Sequence, residues 1–177
     1  MLQDIELLES GNILKGLRFP HKIEKVTQIV ITVGQFSCLV DFRMWSLKAP
    51  AVALFLPGQV VESIELDEDF AGFGMVMNPE FTDSLNLPVS LQERLFIKDT
   101  QFYSVSEEVI DVLSSVYRQV SSLIKLLYAK SCLSSTSMTI QEISDELDFP
   151  SQSVFGKYFK RIEGMSPKAY RQSLKSE

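Results

Sequence analysis

Five polar side chains, Gln152, Ser153, Lys157, Lys160 and Arg161, crowd into a short stretch that also holds Phe155 and Phe159, four residues apart. On a helix, positions i and i+4 share a face, so the two phenylalanines turn inward together. The polar set is then left on the outward and flanking faces. Glutamine can pair bidentately with adenine, lysine with guanine, and serine with either. Lys160 and Arg161 can reach phosphates. Residue types and spacing together describe a helix suited to the major groove of a duplex.

Local signals position that helix. Thr139 and Glu142 have the spacing of a capping box, in which each side chain accepts from the other residue's backbone N–H. Ile140, Ile143 and Leu147 form a three-four apolar face behind it. Asp148-Phe149-Pro150 breaks this helix, and Ser151 caps the next, whose inward stripe is Val154, Phe155, Tyr158, Phe159 and Ile162. Gly164 ends the second helix. Ser166-Pro167 then opens a last short one, with proline at the first helical position. Two short helices joined by a tight turn, the second offering its polar N-terminus, make a helix-turn-helix layout.

Charge is distributed to match. The 177-residue chain carries a net charge of −6, which alone would argue against a nucleic-acid partner. Yet residues 1–128 hold 10 basic and 17 acidic side chains, whereas residues 129–177 hold 7 and 6. An acidic body with a basic tail points to a local anion-binding face or to a solvated charged one. Two cysteines far apart, Cys38 and Cys132, give no disulfide framework and fit a reducing cytoplasm. The acidic beginning MLQDIELLES has neither secretory nor transit character. No apolar run approaches the roughly 18 residues needed to cross a bilayer, so no membrane partner is expected.

The remainder divides in two. From Val26 to Met77, short β-branched and aromatic runs are cut by turn signals at Gly34, Pro57-Gly58, the acidic DED and Asn78-Pro79, which predicts a small barrel or sandwich. From Ser106 the period changes. Val109, Val112, Leu113, Val116, Val120, Leu123 and Leu127 recur at three and four, predicting a helix over 107–133 with Ser106 as N-cap. At about 1.5 Å per residue it would be ~40 Å long. Its stripe packs either on its own β-domain or on a second copy of the chain.

The C-terminal residues resemble the second helix-turn-helix of AraC-type transcriptional regulators. The likeness is carried by Ile140, Ile143 and Ser144, then Phe149, Ser151, Ser153, Phe155, Phe159 and Lys160, then Gly164, Ser166, Pro167, Tyr170 and Arg171. It covers about Tyr128 to Arg171. It implies base contacts from Gln152, Ser153 and Lys157, and phosphate contacts from Ser151, Lys160, Arg161, Lys168 and Arg171. The segment LFLPGQVVESIEL is similar to the family's N-terminal sensory domain, cupin-like, which binds effectors and dimerises. The resemblance thus implies an α+β chain in three parts. These are a sensory β-domain (1–105), a long connecting and dimerisation helix (106–133) and a partial helix-turn-helix domain (134–177). Its partners would be double-stranded DNA, an unidentified small-molecule effector and a second copy. Trp45, Phe70 and Phe73 are the aromatic residues that could line the effector pocket; ordinary core positions are the alternative for all three.

The sequence departs from the family pattern in containing one helix-turn-helix where the family has two, with a seam expected between Ile124 and Tyr128. Asp148 stands at a usual turn glycine, Val154 at a position commonly aromatic or polar, and Gly156 in mid-helix at a cost of ~1 kcal/mol relative to alanine. One reading helix with four or five phosphate contacts would bind duplex non-specifically at about 10⁻⁴–10⁻⁶ M. A rival expectation is a sensing and dimerisation module that modulates an intact relative without binding DNA itself. His21 is the single histidine, too few for a cupin metal set or a catalytic triad, so no metal or cofactor is expected. Glu65, Asp67, Glu68 and Asp69 lack the glycine and distal glutamate of a calcium loop, and GFG at 72–74 lacks phosphate-loop spacing. Nothing in the sequence supports catalysis.

Overall fold

The computed structural model describes residues 5–14, 18–84 and 101–174. The chain divides into two compact units, residues 3–117 and 118–177.

The first unit is a sandwich of two antiparallel sheets. Strands β1 (Ile5–Glu9), β8 (Ala71–Met77), β3 (Val26–Val33), β6 (Ala51–Phe55) and β9 (Phe102–Ser104) form one sheet in that order. Strands β2 (His21–Lys22), β7 (Val60–Leu66), β4 (Gln35–Val40) and β5 (Arg43–Lys48) form the other. The sheets do not share a hydrogen-bonded ladder, so of the barrel and sandwich expected from the strand spacing, the open sandwich is the one realised. Alternation sets the packing. In β4, Phe36, Cys38 and Val40 point into the core between the sheets. Strand β6 is apolar throughout because both its faces are covered. Ala51, Ala53 and Phe55 meet the inter-sheet core, while Val52, with Val30 of β3, packs against Ile110 of the following helix. The GFG segment lies within β8, where a Cβ on Gly74 would run into the Gln28 carbonyl oxygen. Close approach of two strands accounts for that glycine.

Helix α1 (Pro79–Ser84) follows β8, and helix α2 spans Glu107–Ser135 without a break, so the seam expected between Ile124 and Tyr128 lies inside it. Ser106 occupies the N-cap place, its carbonyl accepting from the Ile110 N–H. In the first unit, α2 buries Ile110 and Tyr117. The Tyr117 ring packs on Phe73 at 4.6 Å, and its hydroxyl donates to the Leu8 carbonyl at 2.9 Å. Leu113 of the expected stripe joins this contact. Val109, Val112 and Val116 do not; they are 43%, 62% and 45% exposed, and Leu123 continues their spacing at 54%. The helix thus carries two apolar rows, and the sheet takes the one led by Ile110.

The second unit comprises the rest of α2, then α3 (Ile140–Glu146), α4 (Gln152–Glu163) and α5 (Pro167–Ser173). Leu126, Ala129, Cys132 and Leu133 of α2 close over Ile143, Leu147, Phe155 and Phe159. The ring pairs Phe149–Phe155, Phe155–Phe159 and Phe159–Tyr170, at 5.3, 5.9 and 5.6 Å, run through this core.

Candidate nucleic-acid interface

Three capped helices hold the outward face in place. Thr139 Oγ1 accepts from the Glu142 N–H at 3.1 Å, and the Glu142 carboxylate accepts from the Thr139 N–H at 2.6 Å, the complete capping box. Those bonds keep the Glu142 carboxyl below its ordinary range. Asp148 takes the turn between α3 and α4 at φ +56°, a left-handed conformation that a short acidic side chain tolerates. Ser151 Oγ then accepts from the Val154 N–H at 3.3 Å and starts α4. At its other end Gly164, at φ +82°, returns its N–H to the Lys160 carbonyl. Ser166 caps α5, with Pro167 at the first position.

Phe155 and Phe159 are fully buried, so α4 presents the opposite side. Gln152, Ser153, Lys157, Lys160 and Arg161 are all exposed, as is Lys168 on α5. No carboxylate stands in the first turn of α4, and Lys160 and Arg161 occupy its last turn. Glu163, the helix's one acid, is taken up by Lys130 of α2 at 2.8 Å, whose ammonium also lies 5.2 Å over the Tyr170 ring. The bond to Glu163 raises the Lys130 pKa. Among the described residues, Lys157, Lys160, Arg161 and Lys168 have no ion-pair partner. Among the described residues the face is therefore basic and polar, and it stands on an aromatic core.

Two of the expected phosphate-contacting residues have work inside the fold. The Ser151 hydroxyl is the α4 cap. Arg171 is half-buried, its Nε donating to the Leu133 carbonyl at 3.3 Å.

In the first unit, Trp45 stacks on Phe102 at 4.7 Å, Phe70 tilts against Phe36 at 6.4 Å and Phe73 packs on Tyr117. A cavity of about 250 Å³ opens elsewhere in the unit, walled by residues including Leu8, Ile29, Phe55 and Val61 and edged by His21 and Lys25. None of the three aromatic residues lines it. Sequence reading did not single out its walls, which come from strands distant along the chain. Among the described residues, no group of His, Cys, Asp and Glu side chains is placed to hold a metal ion, and no helix is long and apolar enough to cross a membrane.

Residues 103–173 match the family model described as a helix-turn-helix domain. No curated protein matches the chain. Among solved structures, the chain is similar to the apo form of a ToxT variant from Vibrio cholerae, with 13% identity over 96% of this chain and 97% of that one and a TM-score of 0.42. It is likewise similar to wild-type ToxT from Vibrio cholerae with bound unsaturated fatty acid, with 13% identity over 95% and 93% and a TM-score of 0.39. Its capped helices and the family match over residues 103–173 make the C-terminal part of the chain a helix-turn-helix domain, the element of a DNA-binding transcription regulator.

Proposed function

We propose that this regulator reads a specific duplex sequence with α4 in the major groove, under control of a small molecule bound in the N-terminal sandwich. One observation carries the first half. The helix buries its two phenylalanines completely and turns outward an acid-free first turn and lysines with no ion-pair partner among the described residues. Gln152, Ser153 and Lys157 contact base edges, whereas Lys160, Arg161 and Lys168 contact phosphates. The 250 Å³ cavity, with its apolar walls and polar edge, supports the second half. The exposed row Val109, Val112 and Val116 of α2 supports a homodimer, which would double the number of reading helices and add avidity. The setting is the cytoplasm, and the activity is regulatory rather than enzymatic.

The test is fluorescence anisotropy of the full chain on labelled duplex from upstream of its own gene, at about 50 and 200 mM salt. Three phosphate contacts predict a roughly 40-fold loss of affinity across that fourfold salt change. Lys157→Ala/Lys160→Ala should bind more weakly and show a loss of only about 12-fold. Wild type and variant equally silent at tens of micromolar would refute DNA reading. The exposed α2 row would then favour the second reading, a sensing and dimerisation module acting on another regulator.

A further inference from the structure

Val154 is the odd residue on the outward side of α4. At about 100° per residue, Lys157 lies opposite the buried Phe155–Phe159 edge, with Ser153 on one side of it and Val154 on the other. Val154 is 44% exposed and packs in none of the buried clusters. Its place is the third residue of the helix, where the acceptor of a capping box would sit. The preceding helix has Glu142 at that place and a completed box; here Ser151 makes its half and the returning half is missing. A β-branched apolar residue is a poor choice there for the helix alone. It gives up a hydrogen bond to the cap and loses rotamer freedom. What it provides is two methyl groups, and no negative charge, at the end of the helix that enters the groove first.

We infer that Val154 is a specificity-determining residue, its methyl groups packing on the C5-methyl of a thymine beside the bases contacted by Gln152, Ser153 and Lys157. This rests on the reading of α4 as a groove-entering helix. The thymine methyl is the one apolar feature of the major-groove edge, and small apolar side chains are what recognise it. A glutamate at this position would restore the capping box and set a carboxylate against the DNA. Fold stability and DNA reading therefore pull this residue in opposite directions.

The experiment selects duplexes from a random pool with the full chain, wild type and Val154→Ala, and then replaces each thymine of the selected site by deoxyuridine, which lacks the methyl. Wild type should enrich a site containing a fixed thymine, and uridine there should lower its affinity about fourfold, the value of one buried methyl. Val154→Ala should lose both the preference and the uridine sensitivity. Val154→Glu should melt no lower than wild type by circular dichroism yet lose binding. Equal thymine preference and uridine sensitivity in wild type and Val154→Ala would overturn the inference while leaving DNA reading intact. No enriched site with wild type, or binding indifferent to Lys157→Ala, would overturn both.

Discussion

Two glycines bracket the structural logic of α4, and replacing each by alanine should change stability with opposite sign. A Cβ on Gly156 would meet nothing within 4 Å, and its backbone is ordinary helix. The substitution adds no clash and removes only the conformational freedom that glycine surrenders on folding. Gly156→Ala should therefore stabilise the C-terminal unit by ~1 kcal/mol. A Cβ on Gly164 also meets nothing within 4 Å, but the residue sits at φ +82°. There an L side chain collides with its own backbone, so Gly164→Ala should destabilise by about 1 kcal/mol. Open space is common to both sites; only the backbone angle differs. Native-state hydrogen exchange of the buried Phe155 and Phe159 amides is the assay, since it isolates this unit from the sandwich. A gain of ~1 kcal/mol slows exchange about fivefold, and the same loss accelerates it about fivefold. Unchanged or faster exchange in Gly156→Ala would mean that its surroundings are not open. Slower exchange in Gly164→Ala would mean that the left-handed cap is not populated. Either result would refute the reasoning.

Three further outcomes are expected. Phe159→Ala should cost about 3–5 kcal/mol and unfold the C-terminal unit, seen as loss of protection in α3–α5 with the sandwich amides unaffected. Burial pushes the Cys38 thiol up to about 12, and burial with the nearby Glu9 carboxylate pushes the Tyr117 phenol up to about 12. Both groups favour the neutral form in the folded chain, so the stability they contribute is present below about pH 9 and is lost as pH rises towards 12; Cys38→Ala should flatten that decline in denaturant titrations followed by Trp45 fluorescence. In the dimer proposed above, Val112→Glu/Val116→Glu should move the sedimentation coefficient to the monomer value and make the melting temperature independent of protein concentration; a dimer that persists would place the interface elsewhere.

The C-terminal unit was legible because its determinants act over three or four residues. Thr139 with Glu142, Ser151, Gly164 and Ser166-Pro167 each fix a helix end through neighbouring backbone groups. Phe155 and Phe159 declare the buried side by spacing alone. Helix α2 was legible as an element but not as a surface. Its sequence holds two apolar rows, and the choice of Ile110 and Tyr117 for burial is made by Val30, Val52 and Phe73 on strands some 40 to 80 positions earlier. The sandwich suffered from the same distance. Strand β1 pairs Ile5 with Met77, and β9 pairs Phe102 with Ala53, so stretches as short as IELLE and FYS become strands only when a remote edge is available. The cavity is the extreme case, since no local pattern marks residues that meet only after two sheets have closed. Trp45, Phe70 and Phe73 were conspicuous by type, but their rings are occupied with Phe102, Phe36 and Tyr117.

The bond from Arg171 to the Leu133 carbonyl has a consequence for synthesis. Helix α2 has no basic residue in its own last turn, and the cation that answers its negative end arrives from a residue 38 positions later. As the chain leaves the ribosome, the sandwich can close while the end of α2 still lacks that partner. The C-terminal unit gains that contact only after α5 has been made. A chain halted at Gly164 would lack both the Arg171 bond to the Leu133 carbonyl and the Tyr170 ring against Phe159.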